Sequence, residues 1–549
     1  MKIGGGGWVV GMDIHPTEPG LIYVRTDVSG AYRWNPSSSS WKQLVTSASM
    51  PADFVGYARY SGVDSLVAAP SDPNIAYMSY SGTPYGKGLA QIFRSTDRGE
   101  TWKATTFKKY RVESEANGEG RQEGERLAVD PLDSNVVYYC PVWDSPWTTA
   151  DGGATWSKIE AIPSGTPPHG VNTVVFGREP LDSGTKTKRI FITTDSAGIF
   201  KSSDGGRTWT NIAESGPKNS SRPRDAEMGS DGVYYVVCGN EGGAAGSIWK
   251  YSPDGVWTDI TPPAPAGGSK SYADLAVDPK NPQVLAVIAN GGQCFVSKDQ
   301  GGVWTAHGFH LNSEKIKWLG QQDNHWLSVG EIAFDPAEPG KLWFAEGFGV
   351  WWTRDLESPN IEWNAASEGI EEACGNDVIA PPGGKPLAAM FDLGVFYFDN
   401  PDAYTARRSQ PYFMSAWALD WCAADPKFIA GVFRNHLGFP PHPNSAGYST
   451  DGGQTWSLFP AVEKGTAPAE LEYGVIAVSA NSKDKIVWSP AKRKLPYYTS
   501  DCGATWKQSS FGGISNTGFD MHYSPQKALC ADRVLPDTFY FYHPDSGIY

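Results

Sequence analysis

The sequence predicts an all-β chain built as two tandem β-propellers, the second shortened, and three observations carry that prediction. An eight-residue turn motif recurs six times, and a strand–turn–strand pattern precedes many of its copies. The 549 residues then hold roughly eleven units of about 50 residues, more than the roughly four to eight blades that close one ring. Gly (62) and Pro (41) with only 19% charged residues agree with many tight turns and few long exposed helices.

The turn motif reads Ser/Thr, any residue, Asp, any residue, Gly, two residues, Trp. Its copies are "STDRGETW" (95–102), "TADGGATW" (149–156), "SSDGGRTW" (202–209), "SKDQGGVW" (297–304), "STDGGQTW" (449–456) and "TSDCGATW" (499–506). The Asp carboxylate and the hydroxyl accept bonds from the amides of their own turn, Gly takes a positive φ and Trp packs beneath, so these aspartates are structural. The second pattern, as in "MDIHPTEPGLIYV" (12–24) and "LAVDPKNPQVLAVI" (275–288), reads as strand, Pro-bounded polar turn and second strand. Gaps of 95 and 152 residues between successive motif aspartates hide units whose turn has degenerated, and the final "DTFYFYHPDSGIY" stops in mid-hairpin, so the second propeller is expected to be partial or truncated.

"LIYVRTDVSGAYRWN" (21–35) resembles a damaged copy of the turn, with Thr26 against Asp27, Gly30 one place late and Trp34 seven residues after the Asp instead of five. That spacing frees the Asp27 carboxylate from the self-capping a regular copy imposes.

Composition excludes several functions. A formal charge of −14 with no Lys/Arg run opposes nucleic acid, and no run of eighteen apolar residues spans a membrane. Seven scattered cysteines without a CxxC pair read as small buried hydrophobes, and nine histidines show no metal-ligand spacing. No G-x-S-x-G, HExxH or P-loop occurs. Carboxylates remain, and glycosidic cleavage needs two: one protonated to assist the leaving group, one ionised to activate water or attack carbon. Of 22 tryptophans only six belong to the turn motif, and packing between blades accounts for more than half of the others. Trp143, Trp326 and Trp417 stand in polar contexts ("VWDSPWTT", "QQDNHWLSVG", "FMSAWALDW") that suit the apolar faces of sugar rings, and Tyr60 is added from loop context.

Residues along the whole chain resemble glycoside hydrolase family 74, the xyloglucanases and related oligoxyloglucan-cleaving enzymes. The stretches are "IGGGGWVVGMDIHPTEPGLIYVRTDVSGAYRWN" at the start, then "GVDSLVAAPSDPN" (62–74), "GERLAVDPLDSNVVYY" (124–139), "NDVIAPPGG" (376–384), "AVSANSKDKIVWSPA" (477–491) and "ADRVLPDTFYFY" (531–542). The resemblance implies two seven-bladed propellers, an N-terminal one over residues 1–375 and a partial C-terminal one over 376–549, with an active-site cleft between them. It implies inverting hydrolysis of a xylosyl-branched β-1,4-glucan, with a catalytic base carried over to Asp27 and a catalytic acid to Asp392 in "MFDLGVFYF", the carboxyls roughly 6.5–9.5 Å apart.

Around Asp392 the chain departs from the family pattern: Phe391 and Val395 stand where glycines are usual, and Phe398 where His is common. Bulk there is expected to desolvate the carboxyl, to narrow the cleft or to mark a different substrate. The expected partner is a polysaccharide or oligosaccharide, acted on without metal or other cofactor by a secreted or periplasmic monomer. A non-catalytic carbohydrate-binding propeller would keep the aromatics without the paired carboxylates. A sialidase-like enzyme would need an arginine cluster and an early Arg-Ile-Pro, a tripeptide the chain lacks.

Overall fold

The computed structural model describes the chain apart from residues 28–29, 55–61, 82–87, 182–183, 218–221, 240–244, 266–267, 269, 321–327, 411–412, 436–443 and 523. It is all-β, with sheets that match a β-propeller. The chain divides into two compact units, a larger one of Gly7–Ser313 with Gln322–Glu372, and a smaller one of Met1–Gly6, Glu314–Gln321 and Ala373–Tyr549. The division at 372/373 lies close to the 375/376 expected from sequence, but two short segments join the smaller unit. Trp318 explains their placement: its fully buried indole N–H donates to Ile3 O at 2.7 Å, and its ring packs edge-on against Phe396 at 5.3 Å.

In the larger unit the described residues form seven four-stranded antiparallel meanders in chain order. Their first strands are Val9–Ile14, Gly62–Ala69, Leu127–Asp130, Val171–Phe176, Pro223–Met228, Tyr272–Val277 and Val329–Phe334. Each first strand packs on the next, and that of the seventh sheet on that of the first. The sixth and seventh sheets also join at their outer edges, where Thr305–Asn312 pairs in parallel with Asn360–Ala365. In the smaller unit the sheets begin with Gly375–Ile379, Ser415–Trp421, Val475–Val478 and Leu529–Ala531, the last being three-stranded.

The Pro-bounded patterns are the first and second strands of these sheets, and all six regular motifs join a third strand to a fourth. In the copy at 149–156, Thr149 donates to Asp151 Oδ1 at 2.8 Å while Asp151 accepts from Thr155 N at 2.8 Å and Thr155 Oγ1 at 2.6 Å. Those bonds, from the Thr155 hydroxyl first, hold the Asp151 carboxyl down at about 2. The fifth sheet fills one of the long sequence gaps. Its third and fourth strands are linked by "SPDGVW", where Gly255 at φ +89° closes a shorter turn on Ser252.

A first strand has only one neighbour within its own sheet, so its other edge carries amides that need acceptors. Acidic side chains of neighbouring sheets supply them. Asp13 accepts from Ala68 N, Glu227 from Val277 N and Asp274 from Ile332 N, each at 2.7 Å. Glu331 of the seventh sheet accepts from Met12 N of the first at 2.7 Å, tying the last sheet to the first. Asp377 and Asp420 do the same in the smaller unit, for Leu419 N at 3.1 Å and Val478 N at 2.7 Å. Burial pushes the Asp13 carboxyl up to about 7 and that of Glu227 to about 8.

A raised folded-state value means that the fold favours the protonated acid. The stability this contributes is complete below the unfolded values near 4 and is lost as pH rises through 7 to 8, whereas the motif aspartates stay ionised throughout. The Tm of the larger unit should therefore fall by at least about 2–4 °C between pH 5 and pH 8. Asp13→Asn and Glu227→Gln, whose amide oxygens can still accept the neighbouring N–H, should flatten that slope in a melting series across pH.

Candidate functional site

Asp27 follows the second strand of the first sheet, Ile22–Thr26, and precedes the third, Ala31–Asn35. It therefore sits in a 2–3 connection, at the end of its sheet opposite the 3–4 connections that hold the motif aspartates. Thr26 closes the turn, its N–H donating to Gly30 O at 2.9 Å and its hydroxyl accepting from Gly30 N at 2.8 Å. Asp27 N donates to Trp8 O at 3.0 Å, which ties the start of the turn to the segment before the first strand.

Arg25, two residues earlier, builds the cationic side of the site. Its buried guanidinium reaches Glu125 Oε1 at 2.6 Å, Arg121 O at 2.9 Å and Gly124 O at 3.1 Å, so it anchors the segment that leads into the third sheet. Gly11 makes this possible, since a Cβ there would come within 2.5 Å of Arg25 Nε. The anchored segment presents Arg121, whose Nε lies 3.7 Å from Asp27 Oδ2 and whose guanidinium stacks on Trp8 at 4.4 Å from the ring centroid. Glu372 completes the surroundings, its Oε1 accepting from the Tyr32 phenol at 2.5 Å. Burial is the main cause that raises the Glu372 carboxyl to about 7, and the charge of Asp27 adds to it.

Asp392 occupies the corresponding place in the first sheet of the smaller unit, between Leu387–Met390 and Gly394–Tyr397. With Met390 paired to Gly394, the turn is three residues long and puts Asp392 at φ +63°. Asp tolerates this left-handed conformation better than bulkier residues do. The turn is fixed from below: Asp392 N donates to Ser415 Oγ at 2.8 Å, Phe391 N to Cys374 O at 2.9 Å and Gly394 N to Met414 O at 2.9 Å. Phe391 packs on Trp417 at 5.3 Å, while Val395 and Phe398 are buried in the unit's core.

The aromatic candidates fare differently. Tyr60 and Trp326 lie outside the described residues. Trp143 is half-buried in the 2–3 connection of the third sheet, beside Asp144, which accepts from the Trp147 indole at 3.1 Å and pairs with Lys158. Trp417 is corrected: it is fully buried in the first strand of the second sheet of the smaller unit, among Phe391, Tyr473 and the Arg434 guanidinium. It is the floor under the Asp392 turn and presents no face to a sugar.

Arg25, Arg121, Trp8 and Glu372 were not singled out from sequence. Only Arg25 carried a local signal, as a charge inside the apolar strand "LIYVRT". Cys140, Cys238, Cys294 and Cys422 are buried as expected, whereas Cys374 and Cys530 are exposed, and no disulfide forms. Among the described residues, no group of three or more His, Cys, Asp or Glu side chains is placed to hold a metal ion, and no helix is long and apolar enough to cross a membrane.

Fold and site define a repeat-built β-propeller protein with an aspartate in the 2–3 turn of the first sheet of each unit. Residues 448–458 match the BNR/Asp-box repeat. A xyloglucanase of a Paenibacillus species is 30% identical over 98% of this chain, which spans only 55% of that relative's length. The crystal structure of a glycoside hydrolase family 74 enzyme of Niastella koreensis superposes with a TM-score of 0.82 at 30% identity, covering 99% of this chain and 77% of that one. That of the family 74 xyloglucanase of Xanthomonas campestris gives 0.85 at 29% identity, covering 98% and 77%. The chain belongs to glycoside hydrolase family 74.

The buried Arg25–Glu125 pair is the joint on which the Arg121 segment hangs. Arg25→Met should destabilise the larger unit by about 3–5 kcal/mol, because Glu125 is left buried without its counter-charge. Chemical denaturation of the variant against the parent measures this.

Proposed function

We propose that the protein is a glycoside hydrolase that cleaves the β-1,4-glucan backbone of xyloglucan or a related branched β-glucan with inversion of configuration. The observation that carries this reading is the shared address of Asp27 and Asp392, each in the 2–3 turn of the first sheet of its unit, apart from the six aspartates held in 3–4 turns. Family membership supports it. The reading takes the larger unit as a seven-bladed propeller and the smaller as part of a second.

In this mechanism Asp392 gives its proton to the glycosidic oxygen as the bond from that oxygen to the anomeric carbon breaks. Asp27 takes a proton from a water whose oxygen bonds to that carbon from the opposite face, which requires carboxyls roughly 6.5–9.5 Å apart. Arg121 beside Asp27 complements an anionic base. Trp143, half-buried in a 2–3 connection of the same unit as Asp27, is read as taking a sugar face. A polymeric substrate fits a protein acting outside the cytoplasm, as a monomer.

Asp27→Asn and Asp392→Asn should each lower reducing-sugar release from xyloglucan by about 10²–10⁴-fold, the usual worth of a general acid or base. Either variant keeping near-parental turnover removes that residue from its role. NMR of the first product should show the α-anomer, and initial β-anomer would exclude inversion.

A further inference from the structure

We propose that Glu372 is a positioning residue for Asp27: its carboxyl, set against the turn that carries Asp27, raises the basicity of Asp27 when it ionises. The inference rests on the reading of Asp27 as the catalytic base.

The placement is steric first. Two glycines make room for Glu372: a Cβ on Gly30 would come within 2.0 Å of Glu372 Oε1, and one on Gly7 within 2.3 Å of Glu372 Cβ. Gly30 is the residue that Thr26 binds to close the Asp27 turn, so the carboxyl rests on the turn itself. Tyr32, at the start of the third strand, fixes that carboxyl by its hydrogen bond, and the Thr26 hydroxyl reaches it as well.

The groups that bear on Glu372 are few. Asp27 disfavours its charge, the Tyr32 and Thr26 hydroxyls favour it, and Glu371 precedes it in the chain. Arg121 lies against Asp27. Titration near 7 follows from burial first, and it falls within the working range of a hydrolase. Below that pH Glu372 is neutral and Asp27 works beside Arg121. Above it a second negative charge makes proton transfer from water to Asp27 more favourable, since the transfer relieves repulsion between two carboxylates. Glu372 transfers no proton itself.

The test is the pH profile of kcat/KM on xyloglucan for the parent, Glu372→Gln and Tyr32→Phe, each checked for folding by its melt. The ratio of parent to E372Q should be near one below pH 6 and rise several-fold through pH 7 to 8, with KM changed less than twofold. A role confined to structure would give the same ratio at every pH, and a flat ratio overturns the proposal. If E372Q does not fold, Y32F decides: losing the phenol that favours the Glu372 anion should move the midpoint of the parent's rise to higher pH, and an unmoved midpoint overturns it. Asp27→Asn separates the two levels. An active D27N means the reading of Asp27 has failed, whereas an inactive D27N with a flat E372Q ratio means that only the assignment of Glu372 has.

Discussion

The open edge of each first strand is the constraint on which the rest of the structure depends. A four-stranded meander leaves the N–H groups on the open edge of that strand without partners inside its sheet, at the place where neighbouring sheets meet. Here a carboxyl from a neighbouring sheet accepts them, from Asp13 on the first sheet to Glu331 on the seventh. One kind of bond thus satisfies the backbone and sets which sheet follows which. It also gathers acids along the first strands of the larger unit, where burial raises the Asp13 carboxyl to about 7 and that of Glu227 to about 8. The Asp151 and Asp204 carboxyls of the 3–4 turns contrast with them, held down at about 2 by their own turn bonds.

The meander gives every sheet two chemically different ends. The 3–4 connections are sealed by their own Asp and Thr or Ser side chains and are repeated with little change, which suits a purely structural task. The 2–3 connections vary, and in them stand Asp27, Asp392, Trp143 with Asp144, and Asp195. A side chain in a 2–3 turn need not cap its own backbone. At Asp27 the turn is closed by Thr26 and Gly30, and at Asp392 the turn backbone is held by Ser415 and Met414.

Much of this was legible in the chain, and the rest has identifiable causes. The six regular turns and the Pro-bounded strand pairs marked most of the sheets, because local chemistry fixes both. Sheets without the motif, such as the fifth with its "SPDGVW" link, could only be inferred from gaps in the spacing. The irregular spacing set Asp27 apart from the turn aspartates, and it lies in a 2–3 connection where they lie in 3–4 connections. Trp417 was misread because "FMSAWALDW" has polar letters, yet a first strand packed between neighbouring sheets is buried on both faces, and Trp417, at the register shift of that strand, lies in the core. Arg121 and Glu372 reach Asp27 from distant parts of the chain, so no local pattern announces them.

The central claim is that two kinds of aspartate share one repeat architecture, the structural ones of the 3–4 turns and the two proposed catalytic ones, Asp27 and Asp392, in 2–3 turns. Measuring turnover on xyloglucan and Tm side by side for Asp27→Asn and Asp151→Asn tests it most directly. The account predicts that D27N loses activity at an almost unchanged Tm, while D151N keeps its turnover but melts about 2–4 °C lower for the loss of its turn bonds. A D27N that melts early but still turns over, or a D151N that folds well and is inactive, would contradict it.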